Sequence, residues 1–202
     1  MSTVKINFVD ALKTSIAWGL KNLPSIIGAV ILWALTCWIP YLNIGTTIAL
    51  ITIPIEISKG KVISPTFIFD SKYRRYMGEF FLLNGLRFQG IALGFAMFII
   101  PGIVINLAWS LSNYLLIDKE KNPMDALAES NKATNGNKAA MFLSNLAIMI
   151  IIIIFVWIFG YLGVVGNILT FLLLIAVSPI LFSLKAYFYK TLVLDAEIAV
   201  QE

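Results

Sequence analysis

The stretch AAMFLSNLAIMIIIIIFVWIFGYLGVVGNILTFLLLIAVSPILFSL, residues 139–184, contains no charged side chain in 46 positions. One bilayer crossing takes about 20 apolar residues, because a helix rises about 1.5 Å per residue through a hydrocarbon core about 30 Å thick. The stretch is therefore long enough for two crossings. Gly160 and Gly163, with Gly166-Asn167 beyond, place turn residues near its middle. It reads as a hairpin of two membrane helices. Strands are excluded, since the run shows no apolar–polar alternation.

Working outward, two more charge-free stretches appear, residues 22–55 and 88–117, of 34 and 30 positions. Pro40, Asn43 and Gly45 punctuate the first, and Pro101-Gly102 the second. Both are short for two full crossings. The pattern predicts an all-α polytopic membrane protein of six helices in three hairpins, near 24–39, 42–58, 80–100, 103–118, 139–159 and 167–190. Composition agrees: 59% of the 202 residues are hydrophobic and 13% charged, against about 25% charged in soluble domains.

All 15 Lys and Arg fall in the N-terminal segment, in 59–87, in 119–138 and at the C-terminal end, and the three intervening turns carry no charge. In the hairpin layout these segments share one face, which the positive-inside rule makes cytoplasmic, with both termini. The net charge of +4 then faces anionic headgroups. No cleavable leader is expected, because the first apolar run begins after residue 22. The lone Cys37 allows no internal disulfide and is expected to pack as a small apolar residue.

A short segment with a helix-start signal precedes each hairpin: Asn7 with Asp10, Ser64 with Pro65, and Asn122 with Pro123 and Asp125. These starts are 57 and 58 residues apart, and the turns at Pro40, Pro101 and Gly160 are 61 and 59 apart. The period divides the single membrane domain, 1–202, into units of 1–60, 61–118 and 119–194. Each unit would open with an amphipathic interfacial helix. The first sets Phe8, Leu12, Ile16 and Leu20 on one face. The second stacks Phe69, Tyr73, Tyr76 and Phe80 beside Lys72, Arg74 and Arg75. The third, from Pro123 to about Asn135, is more polar, with Gly136 as its stop.

The chain has no His, which removes the commonest general base and metal ligand. No Cys or acid cluster replaces it, and no phosphate loop appears, so no catalytic residue, metal or cofactor is assigned. Asp118, Glu120, Asp125 and Glu129 alternate with Lys119, Lys121, Lys132 and Lys138 and read as a solvated surface. The cluster from Lys72 to Arg75 is too short, and too close to membrane, for nucleic acid. Arg87 is the exception to a charge-free interior. It lies about 12 Å along a helix starting near Glu79, with Asn84 and Gln89 nearby. It either snorkels to the interface or joins Arg74 or Arg75 around a lipid phosphate.

Asn106, Ser110 and Asn113 recur at helical spacing and make a polar stripe, either bonding a neighbouring helix or lining a hydrated path. Gly90 and Gly94 form GxxxG, and Gly160, Gly163 and Gly166 a small-residue stripe. Both suit close helix approach, within one chain or between copies.

Ile100-Pro101-Gly102, Trp109-Ser110, Tyr114, Ile117-Asp118, Pro123, Ala126-Leu127, Ser130 and Gly136, with Gly163, Pro179 and Tyr187 further on, resemble a pattern in a group of uncharacterised bacterial six-helix integral membrane proteins. That group is related to the membrane domain of some glycerophosphoryl diester phosphodiesterases. The resemblance implies a bacterial inner-membrane protein. In the two-domain relatives catalysis belongs to a separate soluble barrel, so no catalytic residue carries over. The expected function is non-enzymatic: contact with membrane lipids, or support of protein partners or a second copy, through the basic face. The rivals are a carrier or channel beside Asn106, Ser110 and Asn113, and a lipid-acting enzyme, which lacks an acid–base pair.

Overall fold

The computed structural model describes residues 4–201, and they are helical with no strand among them. Asn7 caps α1 (Phe8–Lys21), its side chain accepting the N–H groups of Val9 and Asp10. A bend of 72° at Asn22 leads into α2 (Leu23–Thr36). A tight turn follows, with Tyr41 at φ 68°, and α3 (Leu42–Ile51) and α4 (Ile53–Ser58) return. Two 3₁₀ turns, Pro65–Phe69 and Ser71–Tyr76, precede α5 (Met77–Met97). The next leg is broken into α6 (Ile99–Ala108) and α7 (Ser112–Asp118). Asn122 caps α8 (Pro123–Thr134) through the N–H of Asp125. The long helices α9 (Lys138–Gly160) and α10 (Gly163–Tyr189) follow, and a π turn joins α10 to α11 (Asp195–Gln201).

Four legs are long and apolar enough to cross a bilayer: Ser71–Met97, Ile99–Asp118, Lys138–Gly160 and Gly163–Ala199. Counting bent α1 and α2 as one span makes five. Of the six helices expected as crossings, four or five legs meet this length and the first hairpin is the short one. α2 has 14 residues, about 21 Å of helix, against about 34 Å for the 23 residues of α9. The turn of the first hairpin was expected at the opposite boundary from the basic segments. Instead the Tyr41 ring lies 6.0 Å from the guanidinium of Arg74.

The outer surface is inverted relative to a soluble protein. Only 11% of the most apolar window of α9 is buried, and Ile150, Ile154, Trp157, Val164 and Phe171 point outward. Two apolar clusters lie inside. One joins Leu83, Leu115, Met141, Leu184 and Phe188 across α5, α7, α9 and α10. The other packs Ile26, Ile48, Ile57 and Tyr73 around the first hairpin and the 3₁₀ segment.

The three leading segments differ from the expected interfacial helices. α1 buries Ala11, Ser15 and Gly19 and lies along α10, so close that a Cβ on Gly19 would stand 3.1 Å from the Ile180 backbone. Its face of Phe8, Ile16 and Leu20 does point outward. The second segment is 3₁₀ and not α, so its aromatics share no helical face: Tyr73 is buried and Phe69 exposed. α8 is amphipathic, with Met124, Asp125, Asn131 and Lys132 exposed, but its other face, Ala126, Leu127, Ser130 and Thr134, is buried against the protein.

α8 closes the break between α6 and α7. The Ser130 hydroxyl donates to the Ala108 carbonyl at 2.7 Å and accepts the Leu111 N–H at 3.1 Å. Away from water, backbone groups freed by a break need such partners. The turn between α5 and α6 falls at extended Phe98, so Pro101 sits in the first turn of α6, where its missing N–H is not needed.

Candidate functional site

Ion pairs gather the charged segments at one end of the bundle. Lys59 pairs with Asp118, Arg75 with Glu120, and Lys119 with Glu197. Asp118 is not a solvated surface acid: its side chain is 10% exposed and accepts the Tyr189 hydroxyl at 2.7 Å. Nearby, a hydrogen bond from Lys61 to Glu56 holds the Lys61 ammonium above its ordinary pKa. The backbone N–H of Lys72 holds the Asp70 carboxyl below its own. Between α4, the second 3₁₀ turn and the end of α7 lies a cavity of about 270 Å³. Glu56, Lys72, Tyr73, Arg75 and Asp118 line it.

The three candidate headgroup arginines, Arg87 with Arg74 or Arg75, have different surroundings. Arg75 donates to the Tyr76 hydroxyl at 2.6 Å, and that hydroxyl donates to Glu120 at 3.0 Å. Arg74 leans the other way, over Gly45, where a Cβ would stand 2.7 Å from its Cγ. Arg87 lies inside the bundle on α5.

The expected polar stripe is not assembled, because the break at 109–111 divides it. Asn106 is exposed, and Ser110 donates to the Leu107 carbonyl of its own turn at 2.8 Å. Asn113 is buried and pairs with Asn84 through two reciprocal amide bonds of 3.1 and 3.3 Å. Arg87 adds a long 3.4 Å bond to the same Asn84 oxygen. Sequence reading missed Lys185, which it counted with the C-terminal charges. Lys185 lies within α10, largely buried, with its ammonium donating to Asn145 Oδ1 at 3.2 Å. Its signal was its place one residue past the longest apolar run.

The glycines divide by role. A Cβ on Gly90 would collide with the Trp109 ring, and one on Gly94 would stand 2.9 Å from the Gly102 Cα, so this GxxxG packs α5 on α6 within the chain. Gly166 approaches the Phe159 carbonyl, Gly163 turns the chain at φ +58°, and Gly160 has open space around it. Among the described residues no three His, Cys, Asp or Glu side chains form a metal-binding group.

By length and composition this is a helical protein of the polytopic membrane class. Comparison with protein families, with curated proteins and with solved structures finds no match to the chain.

Proposed function

We propose that this chain is a non-enzymatic bacterial inner-membrane protein whose basic end faces the cytoplasm and holds anionic lipid headgroups. In this layout four legs cross the bilayer and the first hairpin enters and returns on the cytoplasmic side. An even number of crossings keeps both termini on one face whether or not that hairpin reaches across.

The observation that carries the reading is the cavity at the charged end. Lys72, paired with Asp70, and Arg75, paired with Glu120, line it and can exchange those exposed partners for a phosphate, beside Tyr73 and Tyr76, aromatic residues suited to headgroup depth. The positive-inside rule supplies the orientation. A carrier path beside Asn106, Ser110 and Asn113 finds no support in a stripe divided by a helix break.

The test uses reconstituted protein in phosphatidylcholine vesicles doped with pyrene-labelled phosphatidylglycerol or pyrene-labelled phosphatidylcholine. Tryptophan fluorescence should be quenched more by the anionic probe, and the difference should vanish in the Lys72→Gln/Arg75→Gln protein. Equal quenching by both probes in the unmodified protein overturns the reading.

A further inference from the structure

Resting on the reading above, we infer that the headgroup held at the charged end is a phosphodiester that carries free hydroxyls, of the phosphoglycerol class. The two cations of the cavity share its walls with two carboxylates, Glu56 of α4 and Asp118 of α7. A phosphate drawn to Lys72 and Arg75 therefore enters a cavity whose own charges sum to zero, with acids opposite the cations.

Both acids already have a counter-charge. Lys61 donates to Glu56 Oε2 at 2.9 Å, and Lys59 pairs with Asp118. What they keep is acceptor capacity, because an ionised carboxylate has about four lone-pair sites. Among the described residues, Oε1 of Glu56 accepts no hydrogen bond. Asp118 has one partner on each oxygen, Lys59 and Tyr189. Such acids suit neutral O–H donors and not a further cation. A hydroxyl on a carboxylate makes a charge-assisted hydrogen bond, roughly twice as strong as a neutral one.

Size and continuity agree. The cavity holds about 270 Å³, against about 30 Å³ for one water in the liquid, so a phosphate alone leaves most of it unfilled. Glu56, Lys72 and Tyr73 also line a neighbouring cavity of about 160 Å³, beside Ser64. A headgroup can thus extend from the phosphate at Lys72 and Arg75 toward Glu56. A phosphomonoester fits less well, because its second charge would lie against Glu56 and Asp118 with no donor to offer them. A choline headgroup has no O–H or N–H to give either acid.

The test uses the whole chain in phosphatidylcholine vesicles with pyrene-labelled phosphatidylglycerol, and unlabelled lipids compete for the quenching. Phosphatidylmethanol keeps the single phosphodiester charge and lacks the hydroxyls. Phosphatidylglycerol should relieve quenching at about tenfold lower mole fraction than phosphatidylmethanol or phosphatidic acid. In Glu56→Ala, phosphatidylglycerol and phosphatidylmethanol should compete alike, both still ahead of phosphatidylcholine. If that variant does not fold, Glu56→Gln, a weaker acceptor of the same shape, should narrow the difference. Phosphatidylmethanol competing as well as phosphatidylglycerol in the unmodified protein, or a preference unchanged by these substitutions, overturns the hydroxyl assignment and leaves the anionic site standing. Phosphatidylethanolamine competing as well as phosphatidylglycerol would set an ammonium against Glu56 and overturns it too. Competition by no anionic lipid beyond that of phosphatidylcholine removes the site itself.

Discussion

Ser130 of α8 completes the backbone at Ala108 of α6, giving its hydroxyl proton to that carbonyl at 2.7 Å. Thr134, one turn on, adds a longer bond of 3.4 Å to the same oxygen. A helix that reads as an interfacial segment therefore acts as the clasp of a broken leg. Ser130→Ala should lower stability by about 1–3 kcal/mol, the cost of leaving buried backbone groups without partners. The denaturation midpoint in detergent measures this, and an unchanged midpoint would show that Ser130 is dispensable there.

The amides of Asn84 and Asn113 satisfy each other, so removing one should harm more than removing both. Asn84→Leu and Asn113→Leu should each destabilise the protein, and the double variant should recover part of the loss. A double-mutant cycle is expected to give a coupling of about 0.6–1.7 kcal/mol, the range found between membrane helices. Strict additivity would contradict the pairing.

Substitution should also sort the glycines. Gly94→Val forces α5 from α6, because even a Cβ would stand 2.9 Å from the Gly102 backbone, and a clear loss of thermal stability is expected. Gly163→Ala should cost about 1–2 kcal/mol for its left-handed backbone. Gly160→Ala meets open space and should be neutral or gain up to about 1 kcal/mol in helix propensity. Any other ranking in a thermal melt counts against the packing described.

Asp118 serves two partners on different elements. Tyr189→Phe removes one hydrogen bond to a charged acceptor and should cost about 1.5–3 kcal/mol. Asp118→Ala also leaves Lys59 unpaired and should cost more. Chemical denaturation of the two variants side by side gives the order, and a larger loss for Tyr189→Phe would refute it.

Cysteine labelling tests the layout, after Cys37→Ala clears the background. Cysteines replacing Lys121 and Leu162 should react from opposite sides of the membrane. One replacing Tyr41 should react from the Lys121 side or stay shielded. Reaction of the Tyr41 position from the Leu162 side would restore six full crossings.

Features with local causes were legible in the sequence. Asn7 and Asn122 cap helices where expected, because a cap bonds N–H groups two or three residues away. The charge-free runs gave the apolar outer surface, since the length of such a run reports the medium directly. Ser64, by contrast, makes no cap bond, and the residues after it wind as 3₁₀ turns against the first hairpin. There, packing around Tyr73 outweighs a start signal.

The polar contacts between helices were decided by tertiary structure. Ala108 to Leu111 hold no Gly or Pro, so nothing local announces the break that Ser130 and Thr134 satisfy from another helix. Asn84 meets Asn113 and Lys185 meets Asn145 for the same kind of reason: the rotation of each helix sets which polar groups face one another. Lipid tails are as apolar as leucine side chains, so an apolar run does not fix which of its faces turns inward. From its own sequence the chain determined that it is helical, where its apolar legs run, and which segments carry its charge. Which amides, hydroxyls and cations meet was settled by close packing between helices distant in sequence, because those contacts depend on shape and not on local pattern.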